Sequence, residues 1–367
     1  MSTLKYFSTR KSFFFMFVGL FVFALYLYFF VGISQILTVL RGVNPEQYIL
    51  FYLLAFLCIV LGTFLWSAGW RAALRTLGVK VSVKNAFLYY WTGYFVDLVV
   101  PCENVCGEVT RLYLVYSETK ENYGSIAAGG ITTRILASII VVGGLYISAG
   151  LLFFNNNTPL VVWSFLIFIM VGASLYLVFL LYLAFSEKAS RVIAAVVIRV
   201  LRIFRPKKYG SNDLSPKTKE ALSAFYGGFG VFRDHPSKIV RPFVFLTFSF
   251  LFNLLGYVLV FFALGITAQS FAFFIVVYFV AGSLTDAAAS FSVGTLDILL
   301  ATIFTLYGLP RALSGITAAL LRSVTFWFPL VLGYVIVQFV GAKKLLAPRS
   351  IKKDENEASS LVVSAVV

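Results

Sequence analysis

The sequence predicts an all-α polytopic membrane protein with about six full transmembrane helices and two re-entrant helical hairpins in inverted-topology repeats. Three observations lead there. Apolar residues make up 60% of the 367 residues, aromatics 18% and charged residues only 12%, with a mean hydropathy of +0.92; a soluble domain carries about 25% charged residues. Apolar runs close to the ~20 residues that cross the hydrocarbon layer recur along the chain. The 30 Lys and Arg, against 15 Asp and Glu, gather on alternate connections, as cytoplasmic loops do. Disorder, collagen, coiled coil and a soluble enzyme are excluded together. The formal charge of +15 marks a cytoplasmic face and not nucleic-acid binding.

Six apolar runs read as full spans: 13–40, 47–66, 124–154, 160–185, 242–264 and 317–341. The first is too long for a signal-peptide core and lacks a small-residue cleavage site. Two further regions, 85–101 followed by 109–116 and 270–289 followed by 296–309, are interrupted by polar residues and Gly. Lys5, Arg10 and Lys11 precede the first span; Arg71, Arg75, Lys80 and Lys84 follow the second; twelve cations lie between Lys188 and Arg241, and five follow Gly341. These segments and both termini are placed in the cytoplasm. The segment 188–205 reads as a basic amphipathic helix along an anionic leaflet, 217–233 as another short helix, and His235 as a turn residue.

This orientation constrains the interrupted regions. The basic loops at 71–84 and 188–241 share one side, and two clear spans already cross between them. The segment 85–123 must therefore leave and return, so it is expected to be a hairpin dipping from the cytoplasm; 270–309 is its counterpart from outside. Irregular backbone at that depth requires cover from protein or a wet cavity. The halves also share a pattern. Gly107-Glu108 precedes Gly130-Ile131-Thr132 and Arg134; Gly294 and Asp297 precede Gly315-Ile316-Thr317 and Arg322. Glu108 lies 26 residues before Arg134, and Asp297 lies 25 before Arg322. Inverted repeats of this kind place a site near the midplane between broken helices. The domain plan is one transmembrane domain at 1–342, with repeats at about 47–186 and 242–342 around a basic segment at 187–241, and a cytoplasmic tail at 343–367.

The motifs Trp70-Arg71-Ala72-Ala73-Leu74, Leu77-Gly78, Gly93-Tyr94-Phe95, Pro101 and Gly107-Glu108-Val109-Thr110-Arg111 resemble the flippase-like transmembrane domain of lysyl-phosphatidylglycerol synthases (multiple peptide resistance factors). Gly294, Asp297, Tyr307-Gly308-Leu309, Ala318-Ala319-Leu320-Leu321-Arg322, Phe326-Trp327, Pro329 and Gly333 resemble that family's C-terminal motif. The likeness covers roughly 10–342. The family's Pro-Gly-Gly-like turn is replaced by Ser290-Phe291-Ser292-Val293-Gly294, and Asp297 stands near a Glu position. The resemblance implies lipid translocation. With no synthase domain after 341, the chain by itself is expected not to synthesise an aminoacyl lipid, and not to be an enzyme.

Arg111, Arg134 and Arg322 are the informative cations, because an Arg at membrane depth costs several kcal/mol unless paired or hydrated, about 2.5–3.5 on insertion scales. They either bind a lipid phosphate bidentately or serve as structural partners, Glu108 pairing with Arg111 or Arg134 and Asp297 with Arg322. Glu108, Asp286 and Asp297 are the buried acids, able to hold a cationic headgroup, carry a coupling proton or satisfy an Arg; Asp97 and Glu103 read as nearer a membrane edge. Pro101, Gly107 and Gly294 are expected at structural turns, and Gly93 at a close contact. The aromatics Tyr89-Tyr90-Trp91 and Tyr94-Phe95 read as an interfacial belt or a lipid portal. Cys58, Cys102 and Cys106 make no disulfide framework, with Cys102 and Cys106 read as small packing residues. No catalytic, metal or cofactor site is expected. The partners are membrane lipids with anionic phosphate headgroups and a possible lipid synthase, not nucleic acid; the oligomeric state is left open.

Overall fold

The computed structural model describes residues 41–99, 105–153, 160–186, 216–267, 269–287 and 294–345, with Phe21, Leu25, Tyr28 and Thr38. Most of the expected first span and of the C-terminal tail, with the basic helix at 188–205, Pro101, Cys102 and Glu103, falls outside the described residues. Regular structure among those described is helical: α1 Pro45–Thr76, α2 Val83–Val99, α3 Val105–Thr119, α4 Tyr123–Phe153, α5 Leu160–Phe185, α6 Pro216–Asp234, α7 Ser237–Ala263, α8 Phe271–Ala287, α9 Thr295–Leu306, α10 Arg311–Arg322, a π-turn at Ser323–Trp327 and α11 Phe328–Leu345.

Five of these segments are long and apolar enough to cross a membrane: Pro45–Thr76, Tyr123–Phe153, Trp163–Ala184, Ser237–Ala263 and Arg311–Val340. Leu50, Leu53, Leu57, Leu61 and Phe64 form an exposed stripe along α1, and Val161, Phe168, Leu175, Phe179 and Tyr182 are exposed on α5. Apolar surface this continuous belongs in lipid; the chain is a membrane protein with several spans.

Local sequence sets where the helices begin and bend. Asn44 caps α1, its side chain accepting from the Glu46 and Gln47 amides at 3.0 and 3.4 Å, with Pro45 at the first helical position, where a missing N–H costs nothing. The helix runs ten residues past the expected end at 66, so Arg71 and Arg75 sit on helix and not in a loop. Buried Trp70, Ala73 and Leu74 reward that extension, and Arg71 Nε donates to the Val81 carbonyl at 2.8 Å. Between α10 and α11 the Phe328 amide bonds the Ser323 carbonyl, five residues back. The next residue, Pro329, has no amide to offer Thr325, so the ladder widens there.

The centre of the fold is the antiparallel pair α1 and α7. Gln47 Nε2 donates to the Phe262 carbonyl at 3.1 Å at one end; Ser249 Oγ donates to the Gly62 carbonyl at 2.7 Å midway; Gly69 faces Leu246 and Pro242 near the other end. Small residues let the two backbones approach and packing replace the hydrophobic effect, which is absent between helices in lipid.

Around this pair lie two couples of shorter helices. Asn85, at the start of α2, donates to Glu118, at the end of α3, at 2.7 Å, while Asp97, near the end of α2, accepts from Gly107, near the start of α3; α2 and α3 therefore run antiparallel. Phe273, at the start of α8, meets Tyr307, just past the end of α9, with ring centroids 4.9 Å apart, and this couple is antiparallel too. The four helices have 17, 15, 17 and 12 residues; at a rise of about 1.5 Å per residue each falls short of the ~30 Å hydrocarbon layer. The couples pack crosswise. Gly333 of α11 receives Phe95 of α2, and Gly144 of α4 receives Phe279 of α8.

Helix α6 closes one end. Its Phe225 and Phe229 pack with Ala128, Leu180 and Ala184, and Asn122 donates to Glu220 at 3.2 Å. His235 lies between α6 and α7, its amide bonded to the Val231 carbonyl.

Candidate functional site

Two charge clusters stand out. The first joins α2, α3 and α4. Arg111 Nη1 and Arg134 Nε donate to the same Glu108 oxygen, Oε1, at 2.8 and 2.7 Å. Arg111 Nη2 meets Asp97 Oδ2 at 3.2 Å, and Asp97 Oδ1 accepts the Gly107 amide at 2.7 Å. Glu108 lies in the first turn of α3, where the helix dipole favours an acid; Arg111 follows one turn later on the same face. Two acids thus meet two arginines among the described residues, and pairing is how charges survive burial.

Close backbone approach makes this cluster possible. A Cβ at Gly107 would overlap the Asp97 carboxylate, and one at Gly93 would stand 2.5 Å from Arg111 Nε. Glycine at both positions lets α3 press against α2. Tyr90 lies under the Arg111 guanidinium, 4.5 Å from its ring centroid, a cation–π contact.

The second cluster joins α9 and α10. Gly294 takes φ of +82° at the N-cap of α9, a conformation other residues adopt only at a cost. Asp297, three residues on, accepts the Gly294 amide at 2.8 Å and meets Arg322 Nε at 3.0 Å, with both side chains nearly fully buried. The Arg322 guanidinium lies 4.6 Å from the Phe326 ring centroid. Phe326 packs with Leu98, next to Asp97, and each is 1% exposed. Phe326, beside Arg322, thus packs on the residue next to Asp97.

A small cavity borders the first cluster, lined by Trp66, Trp70, Tyr90, Glu108, Arg111, Gly130, Thr133 and Arg134; its free space of about 10 Å³ takes roughly one water molecule. Of the charged residues that line it, Arg111 is 3% exposed and Arg134 and Glu108 are 20% and 33% exposed; Asp97, at 2%, does not line it. The Thr133 hydroxyl donates to the Gly129 carbonyl at 2.9 Å, so neither carboxylate activates it. Among the described residues no group of three or more His, Cys, Asp or Glu is placed to hold a metal ion.

Of the residues expected at the site, Glu108, Arg111 and Arg134 come together, as do Asp297 and Arg322. Asp286 lies on α8, its side chain outside the description. Asp97, read as nearer a membrane edge, is 2% exposed inside the first cluster; it shares a helix face with Tyr90 and Gly93, a spacing that could have placed it there. Two expectations need correction. Tyr89 and Trp91 do not form an interfacial belt, being 8% and 0% exposed within the protein core. Cys106 is disulfide-bonded and not a simple packing residue, while Cys58 is free and buried.

The family model described as "Lysylphosphatidylglycerol synthase TM region" matches residues 16–333. A UPF0104 membrane protein of Methanocaldococcus jannaschii is 23% identical over 329 residues, covering 87% of this chain and 92% of the relative. A UPF0104 membrane protein of Pyrococcus horikoshii is 23% identical over 350 residues, covering 89% and 99%. No solved structure matches the chain.

Proposed function

We propose that this chain, which belongs to the family of the lysylphosphatidylglycerol synthase TM region, moves a phosphate-bearing lipid between membrane leaflets without chemically altering it. One observation carries the reading: two acid–arginine clusters, Glu108 with Arg134 and Asp297 with Arg322, each tie a couple of short helices to a neighbouring long helix inside an apolar protein. Ionised groups at membrane depth are costly and mark pathways more often than scaffolding.

On this reading the α2–α3 and α8–α9 couples are re-entrant, the first opening to the cytoplasm and the second to the outside, and both termini are cytoplasmic. Support comes from the antiparallel run of α1 against α7, the antiparallel run within each couple and the matched acid-to-arginine spacings of 26 and 25 residues. Each is what an inverted repeat requires. The headgroup phosphate takes Arg134, Arg111 or Arg322 bidentately while the tails stay in lipid, and Glu108 and Asp297 hold those guanidiniums between passages. Rocking one repeat against the other alternates exposure, with Leu98 and Phe326 as the barrier that must part.

The cavity beside Glu108 takes one water, so passage requires it to widen. The same observation favours a second reading, a lipid-presenting subunit for a separate synthase or glycosyltransferase, in which the clusters never open. Purified full-length protein in vesicles separates the two. Transfer of a labelled phospholipid between leaflets, abolished by Arg134→Ala in folded protein, supports transport. Binding without transfer supports presentation, and a changed lipid sinks both.

A further inference from the structure

We infer that the protein holds a resident anionic lipid, with a phosphodiester headgroup of net negative charge, at the end of α1 that the proposed topology places in the cytoplasm. Arg71 and Arg75 of α1 and Arg241 of α7 bind its phosphate, and an acyl chain lies along the exposed face of α1. The arginines of the two clusters each meet an acid. Arg71, Arg75 and Arg241 gather as well, close enough for the charges of Arg75 and Arg241 to act on Arg71. Among the described residues no acid pairs with any of these three. Acids near that end are engaged elsewhere: Glu118 with Asn85, Glu220 with Asn122 and Asp234 with Arg233. Like charges held together repel, and one shared anion turns that repulsion into attraction.

The depth suits a headgroup. Helix α1 has 32 residues, about 48 Å at a rise of about 1.5 Å each, against ~30 Å of hydrocarbon. A centred helix leaves about 9 Å in each headgroup layer, and Arg71, one and a half turns before the end at Thr76, falls inside it. Arg71 is also held in place. Its side chain is half-buried and its Nε donates to the Val81 carbonyl at 2.8 Å. That bond fixes the guanidinium and leaves both Nη groups for paired phosphate oxygens. Arg75 and Arg241 are exposed and reach the same place from two helices, the Arg241 guanidinium lying 6.0 Å from the Phe245 ring centroid.

The apolar part of the ligand has a place too. At 3.6 residues per turn, Leu53, Leu57 and Phe64 lie within about 40° of Arg71 and Arg75 on the surface of α1, and each is at least 40% exposed. Gly62 and Gly69, which face α7, lie on the opposite side. One stripe thus runs from lipid-facing side chains to two arginines, the order of chain and headgroup in a phospholipid. A zwitterionic headgroup brings an ammonium up to three uncompensated cations, and a free phosphate makes no use of the stripe. Basic residues that only mark a cytoplasmic face need no such register. Lys80, Lys84 and Lys120 are exposed at the same end, and none of them acts on Arg71.

The inference needs the membrane placement alone and stands whether or not a lipid is moved. The full chain in nonionic detergent is titrated with fluorescent short-chain phosphatidylglycerol, and short-chain phosphatidylcholine and soluble glycerol 3-phosphate serve as competitors. Phosphatidylglycerol is expected to bind about fivefold more tightly than phosphatidylcholine, the worth of about one charge near the membrane surface. Glycerol 3-phosphate, lacking acyl chains, is expected to compete at least about 100-fold more weakly. Combining Arg71→Gln, Arg75→Gln and Arg241→Gln is expected to weaken phosphatidylglycerol binding about 100-fold, roughly fivefold for each arginine. Combining Lys80→Gln, Lys84→Gln and Lys120→Gln removes as much charge from the same end and is expected to cost less than about twofold. If the arginine triple does not fold, Arg75→Gln against Lys84→Gln makes the same comparison at exposed positions, with about a fivefold loss expected in the first alone. Equal losses in the arginine and lysine variants overturn the site in favour of a generally positive face. Phosphatidylcholine binding as tightly as phosphatidylglycerol overturns the charge class, and glycerol 3-phosphate competing as well as the lipid overturns the lipid source.

Discussion

Changing Asp297 and Arg322 singly and together tests whether the second cluster is a coupled pair. The two side chains are 5% and 4% exposed and meet at 3.0 Å, so little water screens either charge. Losing one partner strands the other, at a cost of about 3–5 kcal/mol, whereas replacing both with groups of similar volume is often nearly neutral. Asp297 also accepts the Gly294 amide; Asn keeps an oxygen there, which makes Asp297→Asn the fair single variant and Met the fair replacement for Arg322. Each single variant is expected to lose about 3 kcal/mol and the double about 1 kcal/mol, a strongly non-additive cycle. At about 2 °C per kcal/mol for a chain this large, apparent Tm falls by about 6 °C in each single variant and by about 2 °C in the double. Intrinsic fluorescence on heating in one detergent, at one scan rate because unfolding of such proteins is commonly irreversible, reads the result. Losses that simply add refute the pairing. A double variant that keeps its stability but moves no lipid shows that the charges do more than hold helices together.

The remaining predictions are sharper in direction than in size. Gly107→Ala places a methyl on the Asp97 carboxylate and is expected to cost about 3 kcal/mol or more through overpacking and a broken charge cluster, while Gly130→Ala, whose nearest contact lies at 3.6 Å, is expected to cost under about 1 kcal/mol; thermal stability of the purified pair decides. Tyr52 contacts Ser323 and the Leu320 carbonyl at the π-turn, so Tyr52→Phe is expected to destabilise by about 1 kcal/mol, again read by heating. In a cysteine-free background, cysteines replacing Glu118 and Lys238 are expected to react with an impermeant maleimide from one side of the membrane and those replacing Phe271 and Leu306 from the other. Labelling of Glu118 and Lys238 from opposite sides sinks the re-entrant topology.

Much of the site was legible because acids and arginines are scarce in an apolar sequence. Glu108, Arg134, Asp297 and Arg322 are conspicuous by type, and their matched spacing led to the pairs found at 2.7 and 3.0 Å. Helix existence was also legible from apolar runs, with ends shifted where packing outlasts the hydrocarbon, as at Trp70 and Leu74 in α1. Asp97 was read as nearer a membrane edge and was left out of the site, because nothing local tells that Gly107 will press against it. Tyr89 and Trp91 misled for a related reason. An amphipathic aromatic suits a membrane interface and a protein core equally, and only the neighbours, Leu114, Val115 and Ile336 among them, decide.

The clusters also bear on how the proposed passage could occur. Separating Glu108 from Arg134 breaks a contact of 2.7 Å, while Glu108 keeps its bond from Arg111. On the proposed function, a headgroup phosphate supplies Arg134 with a new partner as the two residues part, so the ion pair is exchanged and not simply broken. On that reading the cavity widens when the headgroup is present, because the open arrangement is then electrically satisfied. The packed pair of Leu98 and Phe326, on that reading the barrier, adds the complementary restraint. It offers no polar group to water or to a small ion, so parting it without a lipid exposes apolar surface and gains nothing. A pathway gated in this way admits its lipid while remaining shut to protons and salts, and that is the property a leaflet-to-leaflet passage needs in an energised membrane.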